Sequence, residues 1–223
     1  MIKIAYDPFE YDRRSMVDEQ LIPRGIKDKK VLDAFYNVPR ELFVPDELTG
    51  EAYQDHPLPT IHRQTISQPY IMALMTELLE APENERAKIL EIGTGSGYQA
   101  ALLAYMGHDV VSVERLDELV KFAERNLEKL TYTDKIKIRV GDGCLGWPEE
   151  APYDGILVTA ASPQIPPKLV EQLKIGGKLV IPVGNILIQE LLQVIKTSEH
   201  DIEINKSIGC RFVPLIGVDA FNE

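Results

Sequence analysis

The 223-residue chain has 35 acidic residues against 24 Lys and Arg, giving a formal net charge of −11, and 44% of it is hydrophobic. This content can build a sizeable core, whereas the acidic balance disfavours nucleic acid, whose binding relies on Lys and Arg at the phosphates. No apolar run reaches the ~20 residues that span a bilayer, and the N-terminus lacks a signal-peptide pattern, so we expect a cytoplasmic protein with no membrane association.

The length favours a single domain over residues 1–223, which divides into three parts. The first part, residues 1–80, is predicted to be an extension of helices and loops. Short helices are expected over 11–22 and 28–37, and an irregular packed loop over 44–68, which is rich in Pro, Asp and His. Pro69 is well placed to open a further helix that ends near Leu79, and 82–85 reads as a turn.

The second part, residues 81–185, alternates strand and helix patterns. Strands are predicted at 88–92, 110–114, 136–140, 154–159 and 178–183, and helices at 97–106, 117–130 and 166–174. Gly107 is expected to end the first of these helices, and Gly176-Gly177 to end the last. This alternation predicts an α/β fold with a doubly wound, mostly parallel sheet. The third part, residues 186–223, is expected to add two edge strands or a hairpin, over 190–196 and 201–215.

The segment from Lys88 to Ala104 is the most informative in the chain. An apolar strand runs into three alternate glycines, Gly93, Gly95 and Gly97, and a helix pattern follows. Such a turn lets the backbone lie against a nucleoside cofactor. A dinucleotide site would place its third glycine one residue later, and a P-loop would need a Lys-Ser or Lys-Thr pair. The spacing therefore disfavours both of these sites.

Three acidic residues are candidate cofactor ligands because of their position relative to the strands. Glu114 closes the second strand of the core, where a carboxylate can accept both hydroxyls of a ribose; the competing interpretation is a surface glutamate paired with Arg115. Asp142 follows the third strand and could accept an adenine amino group, with Gly143 keeping the wall thin, unless it forms an ordinary Asp-Gly turn. Glu91 is expected in the network at the other end of the cofactor, directly or through water.

The acid two residues before the first glycine, with G-x-G-x-G spacing, resembles the S-adenosylmethionine site of class I methyltransferases. Further segments together resemble the protein-L-isoaspartate O-methyltransferase family over residues 10–217. They are the stretches 64–70, 90–98, 141–143, 151–154, 158–161, 172–179, 181–184 and 212–215. The Gln-Thr-Ile-Ser segment at 64–67 and the C-terminal Phe-Val-Pro-Leu are the most specific of these.

The resemblance implies methyl transfer from S-adenosylmethionine to the α-carboxylate of L-isoaspartyl residues in damaged proteins and peptides, with S-adenosylhomocysteine as the product. The ester then closes to a succinimide without the enzyme, which initiates repair. By the same resemblance Ser67 and Thr65 are the active-site hydroxyls, Gln64 and Ile66 line the cofactor site, and a further set lies along the substrate: Tyr70, Val213, Pro214 and Leu215. Taken alone, the two hydroxyl residues would more often cap the helix that begins at Pro69.

One departure from the family pattern lies directly before this segment. The family usually has Ile-Gly-x-Gly where this chain has Thr60-Ile61-His62-Arg63. If the two replaced glycines need φ > 0, an isoleucine there would be strained, so the loop is expected to run differently. Arg63 could neutralise the substrate carboxylate or be a solvated loop charge.

Two alternatives stay open at this stage: a methyltransferase with another acceptor, and a homologue that binds cofactor or isoaspartyl groups without turnover. No metal is expected, since Cys144 and Cys210 lack metal-ligand spacing and are predicted to be reduced thiols. No obligate protein partner is evident.

Overall fold

In a computed structural model the described residues are 7–82 and 86–222. The helices are α1 (Glu10–Ser15), α2 (Lys29–Asn37), α3 (Pro69–Leu79), α4 (Tyr98–Tyr105), α5 (Asp117–Leu127) and α6 (Pro167–Glu171). The strands are β1 (Leu58–Pro59), β2 (Thr65–Ile66), β3 (Lys88–Ile92), β4 (Asp109–Glu114), β5 (Ile136–Val140), β6 (Tyr153–Val158), β7 (Leu173–Gly184), β8 (Gln189–Lys196) and β9 (Ile202–Cys210). Within these ranges no helix combines the length and apolar character needed to cross a membrane.

The central sheet has seven strands in the order β5-β4-β3-β6-β7-β8-β9. Strands β3 to β7 run parallel to one another, whereas β8 pairs antiparallel with β7 and β9 pairs antiparallel with β8 at one edge. The α/β class, the mostly parallel sheet and the C-terminal edge hairpin are therefore confirmed. The chain passes from β3 to β4 and β5 on one side and returns to β6 on the other, so the strand order reverses beside β3. In such sheets ligands bind at the carboxyl ends of the strands near that reversal.

Alternate residues of the buried strands pack into two cores on opposite faces of the sheet. Ile89 faces the core that includes α2, α3 and α4, whereas Leu90 and Ile92 face the core that includes Leu169 of α6. A strand covered on both faces has to be apolar at successive positions, which explains the unbroken apolar character of the predicted strands.

The N-terminal part covers one face of the sheet. Between α1 and Gly25 the helix continues as a π-helical turn over Met16–Leu21 and a 3₁₀ turn over Ile22–Arg24. The 44–68 segment is largely irregular, as predicted, but it contains a small sheet in which β1 pairs antiparallel with β2. This sheet fixes both ends of the 60–64 loop. The predicted turn at 82–85 lies mostly outside the described residues.

Two expectations about the second half of the chain were wrong. The helix predicted at 166–174 stops at Glu171, and Gly176 and Gly177 lie inside β7 rather than at a helix end. Tyr153 pairs with Leu173 but Gly155 pairs with Lys178, so the intervening residues of β7 form a bulge. A Cβ on Gly177 would stand 3.0 Å from the Asp154 carbonyl oxygen, so this close backbone approach requires the glycine.

The second wrong expectation concerns the last predicted strand, 201–215. Strand β9 ends at Cys210, and the chain then crosses to the end of β6. There the Ala161 N–H donates to the Val213 carbonyl (2.8 Å) and the Leu215 N–H to the Ala161 carbonyl (2.7 Å). Residues 213–215 therefore lie at the carboxyl edge of the sheet and not at its side.

Candidate active site

A cavity of about 510 Å³ opens at the carboxyl ends of β3, β4 and β6. Its wall combines the glycine turn, the end of β4, the β2 segment and the C-terminal crossing. The predicted site residues found on this wall are Gln64, Thr65, Ile66, Ser67, Gly93, Gly95, Glu114, Gly143, Val213, Pro214 and Leu215. The fold thus brings the candidate cofactor residues and the candidate substrate residues to one cavity.

The glycine turn has the left-handed backbone that its sequence predicts. Gly93, Gly95 and Gly97 have φ values of +91°, +55° and +88°. A Cβ on Gly93 would stand 2.5 Å from the hydroxyl oxygen of Thr159, so the turn has no room for a side chain there. We call the bare backbone of Gly93 and Gly95 on the cavity wall the glycine cradle. Gly97 does not line the cavity; it precedes α4, and a Cβ there would press on Ala123 and Leu127 of α5 at 3.3 Å. Its part in the site is to pack the turn closely.

The carboxylate of Glu114 lies at the cavity wall and is only 7% exposed. One of its oxygens accepts the Gly95 N–H (3.1 Å), and the other accepts the backbone N–H groups of Arg115 (2.9 Å) and Leu116 (3.2 Å). The group is therefore buried and oriented by three backbone donors, unlike a surface glutamate. Carboxylate oxygens have spare lone pairs, so this group can also accept hydroxyl donors from a ligand.

Glu91 lies behind the wall rather than on it. It is fully buried, and its Oε2 accepts a 2.5 Å hydrogen bond from Ser112, whose hydroxyl also meets that of Thr94 at 2.6 Å. Its Oε1 has no hydrogen-bond partner among the described residues. Burial raises the pKa of Glu91 to about 8, and the negative charge of Glu114 adds to this effect, whereas the Ser112 hydrogen bond opposes it. Thr94 lines the cavity, so any contact between Glu91 and a ligand runs through this network.

The segment after β5 gives the cavity a thin wall at Gly143, but the carboxylate of Asp142 is already hydrogen-bonded to the protein. A Cβ on Gly143 would stand 2.4 Å from a methyl carbon of Ile92, which leaves no room for a side chain. Asp142 does not line the cavity: its oxygens accept the N–H groups of Cys144 (2.9 Å) and Val218 (3.0 Å). The bond from Cys144 matches the turn that was the competing interpretation, the bond from Val218 is a long-range contact, and an adenine contact from Asp142 stays a prediction.

The segment that departs from the family pattern forms a loop with left-handed backbone. His62 and Arg63 have φ values of +55° and +58°, whereas Ile61 keeps a negative φ. The left-handed backbone therefore includes one of the two positions where the family has glycine, and the isoleucine is not strained. The loop closes through hydrogen bonds from Thr60 N–H to Gln64 O (2.8 Å) and from Gln64 N–H to Ile61 O (3.1 Å). Arg63 is exposed at the mouth of the cavity.

Tyr70 is the predicted substrate residue that the structure does not bring to the cavity wall. Its ring lies under the guanidinium of Arg24, 3.4 Å from the ring centroid, and Arg24 pairs with Asp55 at 2.8 Å. The helix geometry explains this, because Tyr70 is the second residue of α3 and its side chain points towards the N-terminal part. A role for it in substrate binding stays a prediction.

Sequence reasoning missed Thr159, which follows β6 on the cavity wall. Its hydroxyl donates to the carbonyls of Ile92 (3.0 Å) and Gly93 (2.8 Å) and so fixes the start of the glycine turn. Thr159 directly follows the buried strand β6 and precedes two alanines, just as Gly93 directly follows β3. This position at the end of a buried strand is the signal that could have identified it. Among the described residues the wall carries no His, Cys, Asp or Lys side chain. Such a cavity can hold and orient reactants, but its wall offers few side chains for acid–base catalysis.

Comparisons with known proteins all indicate the same family. Residues 12–220 match the family described as "Protein-L-isoaspartate(D-aspartate) O-methyltransferase (PCMT)". A Syntrophus aciditrophicus protein-L-isoaspartate O-methyltransferase is 52% identical over 95% of this chain and 96% of its own length. A relative of the same name from Geobacter metallireducens is 49% identical over 94% of this chain and 95% of its own.

Solved structures agree with these relatives. A structure named protein-L-isoaspartate O-methyltransferase has a TM-score of 0.80 and 30% identity, covering 93% of this chain and 67% of that one. A Plasmodium falciparum structure, described as a candidate enzyme of this type in complex with S-adenosyl-L-homocysteine, has a TM-score of 0.77 and 26% identity, covering 92% and 98%.

Proposed function

The chain belongs to the protein-L-isoaspartate(D-aspartate) O-methyltransferase family, and on this premise we propose that it methylates the α-carboxylate of L-isoaspartyl residues in damaged proteins and peptides. The methyl donor is S-adenosylmethionine, and the product ester initiates repair through a succinimide. The observation that supports the proposal is one shared cavity, whose wall includes the glycine cradle, the 64–67 segment and residues 213–215.

The residues present fit an S-adenosyl group. The backbone at Gly93 is bare because a Cβ would overlap the Thr159 hydroxyl, and the buried carboxylate of Glu114 closes β4 at the same wall. We expect Glu114 to accept the ribose hydroxyls, Gly93 and Gly95 to lie along the cofactor, and Gly143 to leave space beside the base. When bound, S-adenosylmethionine supplies a methyl group on a positively charged sulfur.

The reaction asks the protein mainly for orientation. A carboxylate with an ordinary pKa near ~4 is already ionised at neutral pH, so no general base is needed. The protein has to hold one carboxylate oxygen about 3–3.5 Å from the methyl carbon and exclude competing water. This requirement agrees with a wall that has hydroxyl and backbone donors but no histidine among the described residues.

We expect the hydroxyls of Ser67 and Thr65 to donate hydrogen bonds that orient the substrate carboxylate. Ser67 is half-buried and Thr65 is exposed, and both are on the cavity wall. Neither needs to become a nucleophile. The backbone of Val213–Leu215, which is held to the end of β6 by two hydrogen bonds, is expected to lie along the substrate peptide. Arg63 at the mouth is expected to attract the substrate's charge.

The same proposal covers the partners, the domain organisation and the cellular compartment of the protein. Isoaspartyl proteins and peptides are the partners, and the net charge of −11 disfavours nucleic acid. We propose one functional domain, in which the N-terminal part carries the substrate loop. Cys144 and Cys210 are free thiols, which supports a reducing compartment such as the cytoplasm. Among the described residues no group of three or more His, Cys, Asp or Glu side chains is placed to hold a metal ion.

A peptide methylation assay tests the proposal. Protein and cofactor with a labelled methyl group are incubated with two peptides that differ only in an isoaspartyl or an aspartyl residue, and base-labile methyl ester is measured. Ester on the isoaspartyl peptide alone is the expected result. Cofactor binding without ester on either peptide would contradict the proposed activity, and equal ester on both would contradict the proposed specificity.

A further inference from the structure

Arg40 is the largest fully buried side chain in the described part of the protein, and no acid neutralises it there. It opens the 3₁₀ turn Arg40–Phe43 directly after Pro39, and its exposed fraction is 0%. No ion pair joins its guanidinium to a described carboxylate within 4.0 Å. Burying an arginine without an acid is costly unless its donors find other acceptors.

The acceptors that Arg40 finds come from separate segments around the cavity. Its Nε donates to the Ala52 carbonyl (2.7 Å), its Nη2 to the Ser67 carbonyl (2.8 Å), and its Nη1 to the sulfur of Met72 (3.4 Å). Its guanidinium carbon also lies 5.1 Å from the ring centroid of Tyr98.

Three of these four contacts, Ser67, Met72 and Tyr98, are themselves on the cavity wall, whereas Arg40 is not. Tyr98 is the first residue of α4 and directly follows the glycine turn, so the guanidinium joins the cofactor side of the cavity to the substrate side. Burial lowers the pKa of Arg40 to about 10, which leaves the group charged at neutral pH. The planar fork of donors suits this task, because an ammonium group cannot reach carbonyls in several fixed directions.

We propose that Arg40 is a positioning residue for methyl transfer, which holds the Ser67 backbone so that the 64–67 segment keeps its place relative to the glycine turn. The proposal rests on the proposed function of the same cavity. It predicts that a change at Arg40 reduces turnover of the isoaspartyl substrate by far more than it weakens cofactor binding, because Glu114 and the glycine cradle, the main expected cofactor contacts, do not contact Arg40.

The chain offers a matched control in Arg13. This arginine is also buried, at 6% exposed, and lies in the same N-terminal layer against Tyr53. Its partners are Asp7, Glu41 and the Tyr53 hydroxyl, and none of them lines the cavity. The Tyr53 hydroxyl also accepts the Arg40 backbone N–H (3.1 Å), so Arg13→Lys perturbs a buried arginine beside Arg40 while the Arg40 side-chain bonds to the 64–67 segment stay in place.

The test compares Arg40→Lys, Arg40→Met and Arg13→Lys in the full chain, after the wild type has been shown to methylate the isoaspartyl peptide. For each we measure thermal stability, kcat and KM for the peptide, Kd for S-adenosylhomocysteine, and amide hydrogen exchange over residues 64–68. We expect Arg40→Met to lower kcat/KM by about 100-fold and Arg40→Lys by about 10-fold, because the lysine keeps the charge and one of the three hydrogen bonds, with Kd within about threefold. Exchange over 64–68 should rise in both, and Arg13→Lys should change stability alone.

A folded Arg40→Met variant with kcat/KM within twofold of wild type would overturn the proposal. So would an equal loss in Arg13→Lys, since the effect would then be general destabilisation. If neither Arg40 variant folds, the arginine side-chain NMR signals of the wild type decide. The proposal requires slowly exchanging Nη protons on Arg40, and rapid exchange of these protons contradicts it. An inactive wild type would instead contradict the proposed function.

Discussion

Replacing Glu91 with glutamine should stabilise the protein, and the gain should grow with pH. Glu91 is fully buried, its Oε2 is bonded to the Ser112 hydroxyl, and burial raises its pKa from 4.5 to about 8. Its carboxyl group therefore holds a proton at neutral pH in the folded chain, whereas the unfolded chain releases it. The glutamine side chain has nearly the same shape and no proton to lose.

The sign and size of the effect follow from linkage. A group whose folded pKa lies above its unfolded value binds more protons when folded, so the free energy of unfolding of the wild type falls as pH rises from 4.5 to about 8. Between about pH 6 and about pH 8 the loss is about 2 kcal/mol, because each pH unit inside this window is worth up to about 1.4 kcal/mol. The Glu91→Gln variant does not experience this loss.

Denaturant unfolding of both proteins over this pH range measures the difference. All groups common to both cancel, so the gap in unfolding free energy should widen as pH rises and level off above about pH 8. Glu118→Gln on the exposed first turn of α5 serves as the control and should show a constant, small gap. A gap for Glu91→Gln that does not change with pH would mean that this carboxyl group is ionised in the folded protein, which refutes the reasoning.

Four further substitutions test the site. Gly93→Ala should lower the unfolding free energy by about 2–4 kcal/mol and abolish cofactor binding. Gly95→Ala, with open space around its Cβ, should cost only about 1–2 kcal/mol of backbone strain. Equal losses of stability in the two variants would contradict the close contact at Gly93. Arg63→Gly should stabilise the protein by about 1 kcal/mol, because the φ of +58° suits glycine. It should also raise KM for the isoaspartyl peptide, and an unchanged KM would show that the charge of Arg63 does not contribute to substrate binding. Glu114→Gln should raise Kd for S-adenosylhomocysteine by about 10- to 100-fold, with Glu118→Gln unchanged, and equal Kd values would contradict the ribose contact.

The cofactor half of the site could be predicted from the sequence because its signals are local. A buried apolar run, glycines at fixed spacing and the acid that closes β4 lie within 27 residues, from Lys88 to Glu114, and each feature acts on its immediate neighbours. The structure places Gly93, Gly95 and Glu114 on the cavity wall as this pattern predicts. The resemblance to a known family, and not a local rule, pointed to Ser67 and to residues 213–215, whereas the crossing that carries 213–215 to the end of β6 was not predicted.

The features that sequence reasoning missed depend on distant partners. Asp142 accepts a hydrogen bond from Val218, which is 76 residues away, and this contact competes with a ligand in a way that no local pattern shows. A Gly-Gly pair after a helix pattern is typical of a helix end. Gly177 instead lies in a bulge of β7, where the pairing between β6 and β7 shifts its register. Arg40 carries no periodic signal, since its acceptors at Ala52 and Ser67 come together only in the folded chain.

Calorimetric titration of the protein with S-adenosylhomocysteine tests most directly whether the cavity holds the S-adenosyl group over the glycine turn. We expect saturable heat for one site per chain, with a matching rise in Tm, because a ligand that binds only the folded state stabilises it. A titration without saturable heat and without a shift in Tm would contradict the account.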